Sequence, residues 1–91
     1  MIKMAKIEVK KPTKEEIKEA KNWGIWEKEP SEFDWYYDTP ESCYILEGEV
    51  TVKTEDGDEV TIKAGDLVHF PQGLKCVWNV KKKIRKHFTF K

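Results

Sequence analysis

Residues 41–73 read ESCYILEGEVTVKTEDGDEVTIKAGDLVHFPQG, and they carry the clearest signals of secondary structure in the chain. Apolar and polar residues alternate along this stretch, as Val50 and Val52 do around Thr51, which is typical of half-buried β-strands. Turn-forming residues interrupt the alternation at 56–57, 64–66 and 71–73. An Asp-Gly pair between two alternating runs marks a tight hairpin. The stretch therefore predicts short antiparallel strands joined by turns.

The segment before this stretch adds a further strand and one helix. Phe33 and Trp35 alternate with more polar neighbours, so they predict another half-buried strand. A helix is predicted from about residue 14 to residue 22, because Thr13 and Glu16 form a capping box at its start. No helix is predicted between the later strands. The sequence therefore predicts an all-β domain, an antiparallel sandwich or barrel, with a short N-terminal helix.

Composition excludes several classes of function. The 91 residues include 17 basic and 17 acidic side chains, so no net field attracts nucleic acid or an anionic membrane. No apolar run approaches the ~20 residues of a membrane span, and Met1–Lys6 lacks the apolar stretch of a signal peptide, so we expect a cytoplasmic protein. Abundant Lys and Glu, beside one Gln and two Asn, favour a thermophilic source.

Two segments resemble the motifs of the cupin superfamily. Residues 41–48 are similar to the end of the first motif, a Glu and a Gly separated by six residues, and residues 65–73 to the Gly-x5-Pro-x-Gly that starts the second. Further matches resemble the small single-domain cupins grouped with the cupin domain of (S)-ureidoglycine aminohydrolase, and they lie at Trp26, Phe33, Trp35, Trp78, Arg85 and Lys86.

This resemblance implies a cupin double-stranded β-helix, which is a jelly-roll-like antiparallel barrel. It covers roughly residues 23–90, so the barrel is expected there. Residues 1–22 are then an N-terminal extension that carries the short helix, and residues 1–91 form one domain.

The resemblance also implies a metal held by three histidines and one glutamate, and here the chain departs from the pattern. Every second residue of a strand faces the same side, a relation called strand parity here, and the apolar Phe33 is expected to face inward. Trp35 and Tyr37 share its parity, so they stand at the first two histidine positions. Cys76 stands at the third, so only Glu41 is retained. Because imidazoles are the ligands that suit Zn, Fe, Ni or Mn, we predict no bound transition metal and no other cofactor.

The remaining histidines and the cysteines carry no motif of their own. His69 and His87 stand in strand-like runs, and each is interpreted as a surface or interface residue or, alternatively, as a ligand or an acid–base group. Cys43 and Cys76 form no CxxC pair, which excludes a structural zinc site of closely spaced ligands. They are interpreted as reduced thiols, with a disulfide as the alternative.

Strand parity also defines a candidate pocket. Lys86 shares parity with the apolar Ile84 and Phe88, and a lysine in an apolar row needs a charged partner, for which Glu41 is the natural choice. The candidate catalytic residues are Glu41, Cys76 and Lys86, and the candidate substrate-binding residues are Trp35, Tyr37 and Trp78. The alternative is a filled aromatic core that contains a structural ion pair.

Two classes of function stay open. One is an enzyme that acts without metal on a small polar metabolite, with Glu41 as general acid or base, Lys86 setting its protonation and Cys76 as candidate nucleophile. The other is a non-catalytic small-molecule-binding module or a structural dimerisation module. The resemblance implies a nitrogen-containing or carbohydrate-like ligand, but the aminohydrolase activity does not carry over because its metal ligands are missing.

The expected assembly is a homodimer with no nucleic-acid or membrane partner. A small barrel has exposed strand edges, and Tyr44 and Leu46 leave apolar side chains on the face opposite Cys43, so pairing would bury them. The basic run at 81–83 is interpreted as a solvated turn between strands.

Overall fold

The computed structural model describes residues 7–90 and contains one helix and seven strands in that range. In chain order the elements are β1 Glu8–Lys10, α1 Lys14–Ala20, β2 Gly24–Lys28, β3 Ser31–Tyr36, β4 Glu41–Thr54, β5 Glu59–Lys63, β6 Leu67–Phe70 and β7 Lys75–Thr89. All described strand pairings are antiparallel, which confirms the all-β prediction. The segment Met1–Lys6, on which the signal-peptide argument depends, lies outside the described residues.

The two long strands β4 and β7 pair along almost their whole length and form the centre of the sheet. The first part of β4 pairs on its other edge with β6 and its last part with β5. In the same way, β7 pairs first with β3 and then with β2. The short strands therefore sit in two groups, one at each end of the central pair.

The central pair changes direction at an irregular segment between these two groups. The β4–β7 register shifts three times between Ile45 and Val50. Gly48 adopts a left-handed conformation there, with φ of 94°, which residues with a side chain rarely occupy. Register shifts of this kind bend and twist a sheet. The bend lets the two ends of one continuous strand pair belong to different parts of the barrel.

Two predictions about the chain path are wrong. Residues 81–83 are exposed as expected, but they lie inside β7 at the irregular segment and form no turn, because β7 bends beside β4 without breaking. In addition, residues 8–10, which were placed in an extension outside the barrel, form β1 and pair with β6. A strand of three residues is too short for its alternation of apolar and polar residues to be recognised in the sequence.

The helix begins as predicted and ends earlier. Thr13 Oγ1 accepts a hydrogen bond from the Glu16 N–H at 3.1 Å, and the Glu16 carboxylate accepts one from the Thr13 N–H at 2.9 Å. Regular helix stops at Ala20, two residues before the predicted end. The N–H groups of Asn22 and Trp23 bond three residues back, which tightens the last turn. None of the described helices could span a membrane.

This capping box makes a testable contribution to stability. We expect Thr13→Ala to lower the free energy of unfolding by about 1 kcal/mol, because it removes the acceptor for one of the free N–H groups at the helix start. Urea denaturation followed by circular dichroism measures the change. Thr39→Ala, at an exposed bend, is the control and should have almost no effect. Equal stability of wild type and Thr13→Ala would contradict the contribution.

The core lies between the two groups of strands. Its buried apolar residues come mainly from the inward-facing positions of β4 and β7: Cys43, Ile45, Val50, Val52, Cys76, Trp78, Val80 and Ile84. Tyr37, Phe70 and Leu74 join the same cluster from the connecting segments and from β6. Burial at alternate positions follows from the two-residue repeat of a strand. Within residues 7–90, four polar or charged residues are also buried: Glu41, Ser42, Asp66 and Lys86.

Candidate functional site

Glu41 and Lys86 form a buried ion pair inside the barrel. The Lys86 Nζ to Glu41 Oε2 distance is 2.8 Å, and the two side chains are 7% and 6% exposed. β4 places Glu41 at its first residue, and β7 places Lys86 near its end. Among the ion pairs of residues 7–90, this one alone has both side chains buried. The predicted pairing of Glu41 with Lys86 is confirmed.

Cys43 completes a triangle with this ion pair. Its thiol donates to Glu41 Oε2 at 3.0 Å, and Lys86 Nζ lies 3.3 Å from Cys43 Sγ. Burial raises the pKa of the Cys43 thiol well above its ordinary value, although the Lys86 ammonium acts in the opposite direction. The thiol is therefore a neutral hydrogen-bond donor at physiological pH. Its inward position follows from sharing strand parity with Glu41 and Ile45.

Aromatic rings surround the ammonium group. The ring centres of Trp26 and Trp78 lie 4.9 and 4.8 Å from Lys86 Nζ, within the range of cation–π attraction. Trp78 packs edge-on against Trp26 and stacks on Phe33. The buried Lys86 ammonium therefore has a carboxylate, a thiol and two indoles as neighbours. Their interactions replace the hydration that the ammonium loses on burial.

A cavity of about 160 Å³ opens next to this group. Six of its lining residues are aromatic and two are the charged pair: Trp26, Phe33, Trp35, Trp78, Phe88, Phe90, Glu41 and Lys86. Trp35 and Phe90 are 43% and 65% exposed, so they form the rim, whereas Trp78 is 2% exposed. The arrangement is a cavity with apolar walls, a polar end and an aromatic rim.

Four of the six predicted site residues line this cavity and two do not. Glu41, Lys86, Trp35 and Trp78 are in its wall. Tyr37 is buried, and its ring stacks on Phe70 with 4.6 Å between the ring centres. Its hydroxyl has no hydrogen-bond partner among the described residues, and burial raises its pKa far above the ordinary value.

Cys76 is buried as parity predicts, but it lines a different groove, together with Asp34 and Lys53. The prediction that Cys76 shares a pocket with Glu41 and Lys86 is therefore corrected. Parity assigns a side chain to one face of a strand but does not fix its distance from a cavity along that strand. Burial raises the pKa of Cys76 to about 11, so the thiol stays protonated near neutral pH.

Several cavity residues were not recognised from the sequence as site residues. Phe33 shares strand parity with Trp35, and that signal could have placed it in the wall. Trp26 stands directly opposite Lys86 in the β2–β7 pairing, and Phe88 follows Lys86 by two residues on the same face. Phe90 continues that face beyond the end of β7. The position of Trp26 depends on a strand pairing that no local pattern determines.

The two histidines lie outside the cavity. His69 is half-buried, and its Nδ1 lies 2.6 Å from Ser42 Oγ in a groove beside α1. His87 is half-buried as well, and its Nδ1 has no hydrogen-bond partner among residues 7–90. Neither imidazole reaches Glu41 as a further ligand. Cys43 and Cys76 are both free thiols, as the preferred interpretation had them.

The described residues do not fit the metal that cupins commonly hold. Residues 7–90 contain no group of three or more His, Cys, Asp or Glu side chains arranged to bind an ion. The retained ligand, Glu41, directs the oxygen Oε2 to an ammonium and a thiol. Burial keeps the nearby Cys43 protonated, and a thiol must be deprotonated to bind a metal.

Comparison with known proteins places this fold in a family. A family model described as an EutQ-like cupin domain matches residues 15–88. A DUF861 family protein from Thermotoga maritima is 56% identical, with a TM-score of 0.92 over 94% of this chain and 100% of that chain. No curated protein matches the chain.

Two less similar structures agree with this placement. The Clostridium difficile EutQ protein is 26% identical, with a TM-score of 0.65 over 71% of this chain and 51% of that chain. A DUF861 family protein of unknown function from Pseudomonas syringae is 30% identical, with a TM-score of 0.65 over 71% of this chain and 28% of that chain. The chain therefore spans about half of EutQ and less of the Pseudomonas protein. It is an all-β cupin and belongs to the EutQ-like cupin domain family.

Proposed function

We propose that this domain binds a small molecule without the help of a metal, in the aromatic cavity at the Glu41–Lys86 pair. The observation that carries the proposal is the buried ion pair at the wall of an otherwise apolar cavity. Binding sites for small molecules are typically concave and apolar, with a few polar groups that orient the ligand. A buried ion pair adds little or nothing to stability over apolar side chains of the same volume. A role in recognition accounts for its presence.

The unused hydrogen-bonding capacity of the pair indicates the ligand class. A lysine ammonium has three N–H donors, and Lys86 directs two of them to Glu41 and Cys43. The hydrogen bonds from Lys86 Nζ and the Cys43 thiol both end on Glu41 Oε2, which leaves the other carboxylate oxygen, Oε1, to accept from a ligand. One donor on Lys86 and one acceptor on Glu41 are therefore left for a ligand in the cavity that both residues line. A neutral group with its own acceptor and donor, such as an amide or a ureido group, matches them.

The cavity walls favour a planar ligand. The six aromatic side chains offer ring faces and edges for stacking. The volume of about 160 Å³ is close to that of a cavity that holds benzene, about 150 Å³. The aromatic walls and the small volume support a nitrogen-containing, planar ligand over a carbohydrate-like ligand. The resemblance to the (S)-ureidoglycine aminohydrolase group contributes only this chemical class to the proposal.

Binding is better supported than catalysis by a nucleophile. Cys76 lies in another groove, and its pKa of about 11 leaves almost no thiolate near neutral pH. Nucleophilic catalysis by cysteine needs the thiolate. Glu41 already accepts two hydrogen bonds, which suits an orienting acceptor. We therefore favour a binding module over an enzyme.

The four tryptophans allow a direct test with benzamide, which has one ring and one amide. Trp26, Trp35 and Trp78 line the cavity, whereas Trp23 lies in the groove beside α1 and is an internal control. We expect benzamide to shift the indole N–H resonances of the three cavity tryptophans in ¹H–¹⁵N spectra and to leave Trp23 unchanged. Toluene, which lacks the amide, should bind more weakly. Equal shifts of all four resonances, or no shifts, would contradict the proposal.

A matched pair of variants locates the binding site. Trp35→Ala removes one aromatic wall and should weaken benzamide binding by about five- to tenfold, the usual size of an aromatic contact. Tyr36→Ala changes the next residue, which is 57% exposed and outside the cavity wall, and should leave the affinity unchanged. The same titration measures both. Equal affinities of the two variants would place the ligand elsewhere.

The assembly and the setting of the protein remain predictions. Ile25, Tyr36 and Phe90 are large apolar residues that are exposed in the single chain, which supports the expected homodimer. The cytoplasmic location and the thermophilic source continue to rest on composition. A structural dimerisation role would need no ligand, and the benzamide titration separates it from binding.

A further inference from the structure

The triangle of Cys43, Lys86 and Glu41 brings a thiol and an amine together with a carboxylate. Cys43 Sγ and Lys86 Nζ are 3.3 Å apart, and Glu41 Oε2 lies 3.0 Å from the sulfur and 2.8 Å from the nitrogen. Glu41 and Lys86 line the cavity, but Cys43 does not, and ligand binding makes no use of its thiol. A buried thiol that touches both members of an ion pair calls for a separate chemical explanation.

We propose that Cys43 and Lys86 form a reversible oxidative cross-link, an N–O–S bridge, with dioxygen as the oxidant. The bridge requires only that sulfur and nitrogen come close enough for one oxygen atom to bond to both. Dioxygen is small and apolar, so an apolar cavity beside the pair gives it a route inward. Oxidation of cysteine to a state that a thiol can reduce again is ordinary sulfur chemistry.

The reaction balances with the three groups present and one dioxygen molecule. The Lys86 ammonium first passes one proton to the Glu41 carboxylate, which leaves a neutral amine and a carboxylic acid. The S–H bond of Cys43, one N–H bond of the amine and the O–O bond then break. One oxygen atom forms bonds to sulfur and nitrogen, and the other leaves as water with the two hydrogens. Sulfur and nitrogen are each oxidised by two electrons, and dioxygen is reduced by four.

Each neighbour has a defined part in this step. Glu41 is within hydrogen-bond distance of both reacting groups and can take up the proton that Lys86 must lose. The low polarity around Cys43 keeps the thiol neutral, so the reaction should be slow compared with that of an exposed thiolate. No hydrogen bond among the described residues joins Cys76 to a lysine, although Cys76 is the less buried of the two thiols. Oxidation governed by exposure alone would therefore favour Cys76.

The cross-link would change the cavity. Lys86 would lose its positive charge, two of its three N–H groups and its cation–π contacts with the two indoles. If the cavity binds ligands as proposed above, the bridge would switch that binding off. The cross-link itself does not depend on ligand binding.

Mass spectrometry of the wild-type protein tests the cross-link directly. Protein reduced with dithiothreitol is exchanged into air-saturated buffer, and a matched sample is kept without oxygen. The expected result is a species in the aerated sample that has gained one oxygen and lost two hydrogens. Peptide mapping should join the Cys43 peptide to the Lys86 peptide, and fresh dithiothreitol should separate them.

The controls define the outcomes that would overturn the inference. Cys76→Ser should still form the bridge, whereas Lys86→Arg, which keeps the charge without an amine, should not. An unchanged mass, an added oxygen without loss of two hydrogens, or a Cys43–Cys76 disulfide would each refute the bridge. So would the same product in protein held in denaturant, because the folded geometry would then be irrelevant. Bridge formation without benzamide binding would refute the proposed function alone.

Discussion

Lys86→Ala should lower the free energy of unfolding by about 3–5 kcal/mol, the usual cost of removing one partner of a buried ion pair. The substitution leaves the Glu41 carboxylate among aromatic rings, with the Cys43 thiol as its remaining donor. Urea denaturation, followed by tryptophan fluorescence and circular dichroism, measures the change. Lys53→Ala is the matched control, because Lys53 is exposed on β4 and its loss should cost under about 1 kcal/mol.

A double variant separates the charge from the volume of the side chain. Glu41→Gln combined with Lys86→Met removes both charges and roughly keeps both volumes, so it should recover much of the lost stability. The amide oxygen of Gln at position 41 can still accept the Cys43 S–H. A Lys86→Ala protein as stable as wild type would mean that Glu41 does not depend on the ammonium. A double variant as unstable as the single one would mean that lost packing is the cause.

Gly48→Ala should be similarly disruptive, for a different reason. Gly48 has φ of 94°, and a Cβ there would lie 2.7 Å from the carbonyl carbon of Lys83 and 2.8 Å from Ile84 Cα. These are backbone atoms of β7, which cannot rotate away as the end of a side chain can. Left-handed backbone strain of about 1–2 kcal/mol then adds to overpacking of about 1–3 kcal/mol. We expect a total loss of about 3 kcal/mol or more in urea denaturation.

Gly57→Ala provides the control for the strain alone. Gly57 has almost the same φ, 95°, but a Cβ added there, at the β4–β5 turn, would meet nothing within 4 Å. Its substitution should therefore cost only the backbone strain, about 1–2 kcal/mol. If the two alanine variants lose equal stability, the close approach of Gly48 to β7 is not important for the fold.

Much of the fold followed from local rules. The two-residue alternation predicted the strands because successive side chains of a strand point to opposite faces. The Thr13–Glu16 capping box predicted the start of the helix because both reciprocal bonds lie within four residues of chain. The Asp56-Gly57 turn joins β4 and β5 for the same local reason. Features that depend on neighbouring residues alone are readable from the sequence.

The ion pair was predictable although its members are 45 residues apart. Parity put Glu41 and Lys86 on the inner face of their strands, and the cost of an unpaired buried charge then required them to meet. The resemblance to the small cupins at both positions supported the same pairing. Burial of a charge is a strong enough constraint to predict a long-range contact.

Other parts of the site depended on the tertiary structure. The β2–β7 register places Trp26 opposite Lys86, and Cys76 lies in another groove. Residues 81–83 lie in a bend inside β7. Strand parity with Ile45 predicts that Cys43 faces inward, but its contacts with both charges follow from how β4 and β7 align. The sequence by itself determined the elements, their buried faces and the Glu41–Lys86 pair. Only the tertiary structure decided which side chains share the cavity, because register and distance along a strand arise from pairing between distant segments.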